Sequence, residues 1–289
     1  MLKLYSYGKI NLFLDIEGRL TNGYHLIKSV IQSIDIKDEI VLNPINENKI
    51  VIKCSDISIP VNEENTCYKA ASLIKKIYAI DSGIHIYIEK NIPSEAGLAG
   101  GSANAAALIK GLNILWNLNL SLEEMKSIGL QVGADIPFCL VGGTCLAEGI
   151  GDKVTVLNNF VWDNILIIKP DFSMSTAFVY KNLTSNYYNL YKNNKMLEYI
   201  SSKDYEKTAI EISNTLEKVA EKFHPEINQI KELLMNSGAL SCAMTGSGSA
   251  IFAFFKDRKA MDKAYFTAKD IYPTIYRTKT VNTGVKLYD

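Results

Sequence analysis

Four early runs, Lys3 to Ile16, Ser29 to Ile34, Glu39 to Leu42 and Lys49 to Cys54, are rich in Ile, Val and Leu and are separated by polar turns. This pattern predicts strands of one sheet, because successive strand side chains point to opposite faces. The period then changes. Between Thr66 and Tyr78 the residues Tyr68, Ala71, Leu73, Ile74 and Ile77 fall on one helical face behind a capping-type residue. A further strand, Ile84 to Glu89, leads into a glycine-rich segment. After that segment, Ala103 to Trp116 is Ala- and Leu-rich and predicts a helix, and Ser121-Leu122-Glu123-Glu124 is a capping box opening another.

Near Trp162 the pattern restarts. Asn164 to Lys169 predicts a buried strand and Ser175 to Asn182 a short helix, while the polar Thr184 to Lys195 stretch reads as a mobile loop. Helical spacing covers Tyr205 to Phe223 and Glu226 to Met235. Strands are predicted at Leu240 to Met244 and Ala250 to Phe255, then a helix over Asp257 to Lys269 and a last strand near Tyr276 to Asn282. Strands and helices mixed in both halves suit two α+β layers better than a doubly wound sheet, with lobes at 1–160 and 161–289.

Composition narrows the function classes. The 289 residues are 47% hydrophobic, enough for a full core, and Lys+Arg and Asp+Glu are both 31, so total charge points to neither nucleic acid nor an anionic membrane. The longest strongly apolar run, Ala250 to Phe255, is too short to span a bilayer, and Met1-Leu2-Lys3-Leu4 lacks a signal-peptide core. A soluble, cytoplasmic protein is expected. The five cysteines contain no Cys-x-x-Cys pair and the three histidines are scattered, so neither a disulfide framework nor a protein-ligated metal centre is expected. Oxygen-ligated Mg2+ is the better choice if a metal is used.

The chemistry concentrates in Pro93-Ser94-Glu95-Ala96-Gly97-Leu98-Ala99-Gly100-Gly101-Ser102-Ala103-Asn104, between a strand and an Ala-rich helix. Small residues let the backbone approach an anion, and the free N–H groups at a helix start favour phosphate. A tight turn needing glycine is the other reading of the same residues. No Gly-x-Gly-x-x-Gly follows a strand here, and the P-loop signature and the protein-kinase elements are missing. Two further segments stand with it: Gly8-Lys9-Ile10-Asn11-Leu12 and Met244-Thr245-Gly246-Ser247-Gly248-Ser249-Ala250.

Taken in order, these three segments resemble the three motifs of the GHMP kinases, the family of galactokinase, homoserine kinase and mevalonate kinase, over nearly the whole chain. The resemblance implies an α+β, two-lobed fold, with a ribosomal-protein-S5-like N-terminal lobe and a ferredoxin-like C-terminal lobe. It also implies ATP with Mg2+ as cofactors. The runs Gly18-Arg19-Leu20-Thr21-Asn22-Gly23-Tyr24-His25, Gly133-Ala134-Asp135-Ile136-Pro137-Phe138 and Ala147-Glu148-Gly149-Ile150-Gly151-Asp152 resemble a branch whose small-molecule substrate carries a cytidine diphosphate.

By the same resemblance Asp135 is the catalytic base and Lys9 its charged partner, and Pro93 to Ala103 cradle the nucleotide phosphates. Ala99 and Ala103 stand where many relatives carry Gly and Ser, so position 103 offers no hydroxyl. Asn11, two residues from Lys9 on a strand, faces the same side. Tyr24 and His25 are implied to hold the cytosine, Tyr180 to cover its other face, and Gly246, Ser247 and Gly248 to line the opposite wall. The plainer readings are a turn aspartate for Asp135, a solvated strand lysine for Lys9, a helix cap for Ser102, packing for the tyrosines and a hairpin for the last glycines. Two other functions compete: a GHMP kinase for another alcohol, such as mevalonate or homoserine, and a non-catalytic sensor with the same fold.

Overall fold

The computed structural model describes residues 1–288. Its framework is an antiparallel pair of long strands, β1 (Leu2–Arg19) and β2 (His25–Ile45), in register from Leu2 opposite Leu42 to Arg19 opposite His25. The two predicted segments Ser29 to Ile34 and Glu39 to Leu42 are thus parts of one strand. The polar residues between them continue the alternation: Ile34, Ile36, Asp38 and Ile40 are buried, while Asp35, Lys37 and Glu39 are half-exposed.

The chain continues through β3 (Ile50–Cys54), α1 (Thr66–Tyr78), β4 (Gly83–Glu89), α2 (Gly100–Leu115), α3 (Leu122–Val132), α4 (Ile136–Val141), β5 (Thr144–Gly149) and β6 (Lys153–Val156). It then forms β7 (Ile165–Ile168), α5 (Thr176–Lys181), α6 (Met196–Ser201), α7 (Tyr205–Ile210), β8 (Ser213–Asn214), α8 (Thr215–Phe223) and α9 (Glu226–Asn236). The last elements are β9 (Ser241–Met244), β10 (Ile251–Phe254), α10 (Arg258–Ala268), β11 (Ile275–Thr278) and β12 (Val285–Leu287).

Within the described residues an eight-stranded sheet runs β12-β1-β2-β4-β3, with β5 on β2, β6 on β5 and β8 on β1. Its helical layer is α1 to α4, with α2 against β1 and β2. The close approach depends on small residues: Ala105, Ala106 and Ala107 are fully buried, and a Cβ on Gly111 would fall 2.2 Å from Leu42 Cδ1. A second, four-stranded antiparallel sheet runs β11-β7-β10-β9, with α9 and α10 packed on it and α8 beside α9. The first sheet also receives β8 and β12, so residues on both sides of position 160 build it.

Tyr205 to Phe223 is not one helix. Asn214 is extended (φ −145°, ψ 112°), pairs through β8 with Leu14, and caps α8 by accepting the Leu216 N–H. A local hydrogen bond and a distant strand together break a helix that periodicity alone supports. Likewise the Thr184 to Lys195 stretch is anchored: Asn189 N donates to Ile16 O at 2.8 Å and Tyr191 N to Asp15 Oδ2 at 2.9 Å. No helix among the described residues is long and apolar enough to cross a membrane.

Candidate active site

Register shifts between Tyr7 and Lys9 and between Asn11 and Phe13 bracket Lys9-Ile10-Asn11 on β1. Such bulges re-aim side chains. Lys9 and Asn11 are both buried and meet directly, Lys9 Nζ donating to Asn11 Oδ1 at 2.6 Å, while Asn11 Nδ2 donates to Ser29 Oγ at 2.8 Å. A solvated strand lysine is therefore excluded. Lys9 is held in a polar pocket, as a buried cation must be.

The glycine-rich segment joins this strand through its backbone, with Lys9 N donating to Leu98 O at 3.1 Å. It joins the third motif as well: Ser249 N donates to Glu95 O at 3.4 Å and Ala250 N to Ala96 O at 3.2 Å. Thr245 links all three. Its fully buried hydroxyl accepts the Asn11 N–H at 3.1 Å and lies 3.3 Å from Gly97 O, to which it donates. Gly97 itself has φ +74°, and a Cβ there would sit 2.1 Å from Thr245 O, so only glycine fits. Gly246, Ser247 and Gly248 do form a connection between antiparallel strands, β9 and β10, but that connection faces the cleft.

Helix α2 starts at Gly100, three residues earlier than its sequence pattern suggests, with Ala99 as N-cap at φ +57°. No side chain caps it and no acidic residue occupies its first turn. Ser102 is therefore not the cap, and the first N–H groups of a long helix remain open toward the cleft. Ala103 turns its methyl group into the core and is fully buried.

Asp135 precedes α4, yet its carboxylate makes no capping hydrogen bond; only its backbone oxygen is engaged, by Cys139 N at 3.0 Å. The turn-aspartate reading thus fails for the side chain. No ion pair within 4 Å joins Asp135 to Lys9 among the described residues, where Lys9 is engaged by Asn11. Both charges act on the Cys139 thiol behind the site, which burial above all pushes well above the ordinary range.

In the same cleft Tyr24 is 61% exposed, and the buried His25 ring lies 5.1 Å from Tyr180 at 40° and 6.1 Å from Tyr188 at 74°. His25 Nε2 is buried without a hydrogen-bond partner. Burial lowers the His25 pKa, and the Arg19 charge lowers it further. Burial, with the Asp135 charge, raises that of the Tyr180 phenol and keeps it protonated. Tyr180 is carried by α5, which Ser175 caps by accepting Phe178 N at 3.1 Å, and which reaches the third motif through Thr176 Oγ1 and Ser247 Oγ, 2.9 Å apart.

These residues line one cleft of about 1020 Å³. It takes in Lys9, Asn11, Tyr24, His25, all of Pro93 to Ser102, Asp135, Tyr180 and Gly246 to Gly248, and leaves out Ala103. It also contains Asn65, Thr66, Lys90 and Thr176, which no sequence motif singles out. Asn65 is legible only as a helix cap, a role it does fill by accepting Cys67 N at 2.8 Å.

Residues 65–143 match the family described as GHMP kinases N terminal domain, and residues 196–273 match GHMP kinases C terminal. The chain is 40% identical to 4-diphosphocytidyl-2-C-methyl-D-erythritol kinase of Clostridioides difficile, covering 99% of this chain and 97% of that protein. It is 40% identical to the protein of the same name from Thermoanaerobacter pseudethanolicus, covering 100% of this chain and 99% of that one. A crystal structure of 4-(cytidine 5'-diphospho)-2C-methyl-D-erythritol kinase superposes with a TM-score of 0.82 at 25% identity, over 96% of this chain and 99% of that one.

Proposed function

Because this chain belongs to the GHMP kinase family, whose members are ATP-dependent kinases, we propose that its cleft transfers the terminal phosphoryl group of ATP to the 2-hydroxyl of 4-diphosphocytidyl-2-C-methyl-D-erythritol. That reaction is a step of the non-mevalonate route to isoprenoid precursors. The observation that carries the choice of substrate is the unpartnered, buried His25 Nε2, its ring 5.1 Å from that of Tyr180, in a cleft that Tyr24 and the glycine-rich loop also line. A buried polar atom without a partner calls for a ligand that supplies one. A cytosine edge does so, and its ring can stack on the tyrosines. Mevalonate and homoserine offer no such ring.

In this reading the open N–H groups of α2 hold the triphosphate, and Asp135 takes the proton of the attacking hydroxyl as its oxygen bonds to the γ-phosphorus and the bond to the bridging oxygen breaks, releasing ADP. Lys9, kept in place by Asn11, stabilises negative charge near the transferred group. Ser102 Oγ lies 3.8 Å from where a Cβ on Gly133 would be, beside the Asp135 turn. It is a hard oxygen donor of the kind Mg2+ accepts together with phosphates and water, and the ion would neutralise phosphate charge. The five thiols are unpaired, which suits the reducing cytoplasm where we place the enzyme.

The test is ADP release measured by a coupled assay with the cytidine substrate, mevalonate, homoserine and galactose. Turnover with the first alone is expected. Turnover with mevalonate or homoserine at comparable kcat/KM refutes the substrate assignment, and ATP binding without turnover of any of them favours the sensor.

A further inference from the structure

One carboxylate outside the catalytic cleft touches both stems of the glycine-rich loop. Asp38 of β2 has no exposed surface, and its Oδ1 accepts the backbone N–H groups of Asn91 at 2.6 Å and Ile92 at 2.8 Å, the two residues before Pro93. Its Oδ2 accepts Asn104 Nδ2 at 2.7 Å, on α2 just past the loop, and pairs with the Lys90 ammonium group. Asn104 Nδ2 also donates to Ser6 Oγ at 2.9 Å, so the far stem is tied to β1 as well. Lys90 in turn lines the cleft, and its Nζ would stand 3.0 Å from a Cβ on Gly100.

A fully buried carboxylate is costly unless its lone pairs are met, and here four donors meet them, two from backbone and two from side chains. Charge-assisted bonds of this kind are shorter and stronger than neutral ones. They join three separate parts of the chain: the strand that carries the accepting Asp38, the segment entering the loop, whose Lys90, Asn91 and Ile92 donate, and the helix leaving it, whose Asn104 donates. The distance between the loop's two ends is thus set by one side chain on a rigid strand.

We propose that Asp38 is the positioning residue of the nucleotide loop, holding residues 90–92 and Asn104 at a fixed separation so that the N–H groups at the start of α2 are arrayed for phosphate before ATP arrives. The proposal rests on the reading that this loop receives the ATP phosphates. A preorganised loop spends no binding energy on ordering itself, so releasing one stem weakens ATP and leaves the cytidine end untouched.

Asp38→Asn separates the two stems. Its amide oxygen still accepts from Asn91 and Ile92, while its NH2 faces Lys90 and Asn104, donor against donor. The KM and Kd for ATP are expected to rise about tenfold, the factor that 1.4 kcal/mol represents, with the KM of the cytidine substrate unchanged. Asn104→Leu, which removes the far donor together with its bond to Ser6 and leaves the Asp38–Lys90 pair intact, carries the test should Asp38→Asn not fold. It is expected to move ATP affinity in the same direction by a smaller factor, and the double variant to be no worse than Asp38→Asn. Calorimetry with ATP alone separates the two levels. A wild-type protein that does not bind ATP removes the phosphate reading and the proposal with it. Wild-type binding with unaltered Kd in the variants, or KM values for both substrates rising together, overturns the role of Asp38 and leaves the phosphate reading standing.

Discussion

Removing the Thr245 hydroxyl tests whether the three motifs act as one unit. Thr245→Val keeps the side-chain shape at a fully buried position and deletes only the oxygen that accepts Asn11 N at 3.1 Å and donates to Gly97 O at 3.3 Å. Gly97 borders the cleft and water can replace its partner, whereas Asn11 is buried and its N–H is left unsatisfied. One orphaned buried donor costs about 1–3 kcal/mol. In domains of 150–250 residues each kcal/mol lowers Tm by roughly 2–4 °C, so a fall of roughly 2–12 °C is expected. Thr245→Ser keeps the hydroxyl and loses a methyl group, about 0.8 kcal/mol of burial. Calorimetry should therefore rank wild type, Ser and Val in descending Tm. The coupled ADP assay should show kcat lowered in Val and nearly kept in Ser, because Asn11 holds Lys9 and Gly97 lies in the loop proposed to receive the phosphates. A Val variant as stable and as active as the Ser variant refutes the reasoning.

Asp135→Asn is expected to lower kcat by about 100- to 10,000-fold with little change in substrate binding, the usual loss for a general base; near-normal turnover of the purified variant removes Asp135 from that role. Tyr24→Ala should raise the KM of the cytidine substrate roughly 5- to 150-fold, from about 1–3 kcal/mol per stacked base. Since Tyr24 is 61% exposed, its loss opens no cavity, and a Tm that drops with the KM of both substrates contradicts the clamp. His25 supplies a pH signature. Burial and the Arg19 charge lower its pKa, so the unfolded chain, with a histidine near 6.5, binds the proton more readily. The stability it contributes is complete above about pH 6.5 and declines as pH falls from there toward the lowered folded value. His25→Gln should flatten the decline of Tm between about pH 7 and pH 5 relative to wild type, and parallel curves would show that His25 is not the titrating group.

Two features were legible from local spacing, although the same kind of period misled over Tyr205 to Phe223: Thr66–Tyr78 is helical over the range its spacing marks, and the capping box at Ser121 is formed, with Glu124 N donating to Ser121 Oγ at 3.3 Å and Glu124 Oε2 accepting Ser121 N at 2.8 Å. Short elements were not. α4 has six residues, β8 two and β12 three, too few to display any period, and β8 exists only because β1 lies beside it. The glycine-rich loop stands out by its residue types, whereas Lys9, Asp135 and the Tyr24-His25 pair are singled out by the resemblance of their surrounding runs to the GHMP kinases.

What joins them is long-range and therefore invisible in any local window. By itself the sequence determined the class of fold, the glycine-rich loop proposed to receive phosphate and the identity of the chemical groups. The tertiary structure alone decided that Thr245 binds the first and second motifs across 234 and 148 positions, that Asp38 meets Asn104 across 66, and that the Asp135 carboxylate is left open rather than used as a cap. A hydroxyl or carboxylate has the same side chain wherever it stands. Its role is set by which donors and acceptors the folded chain brings within about 3 Å, where alone a hydrogen bond forms.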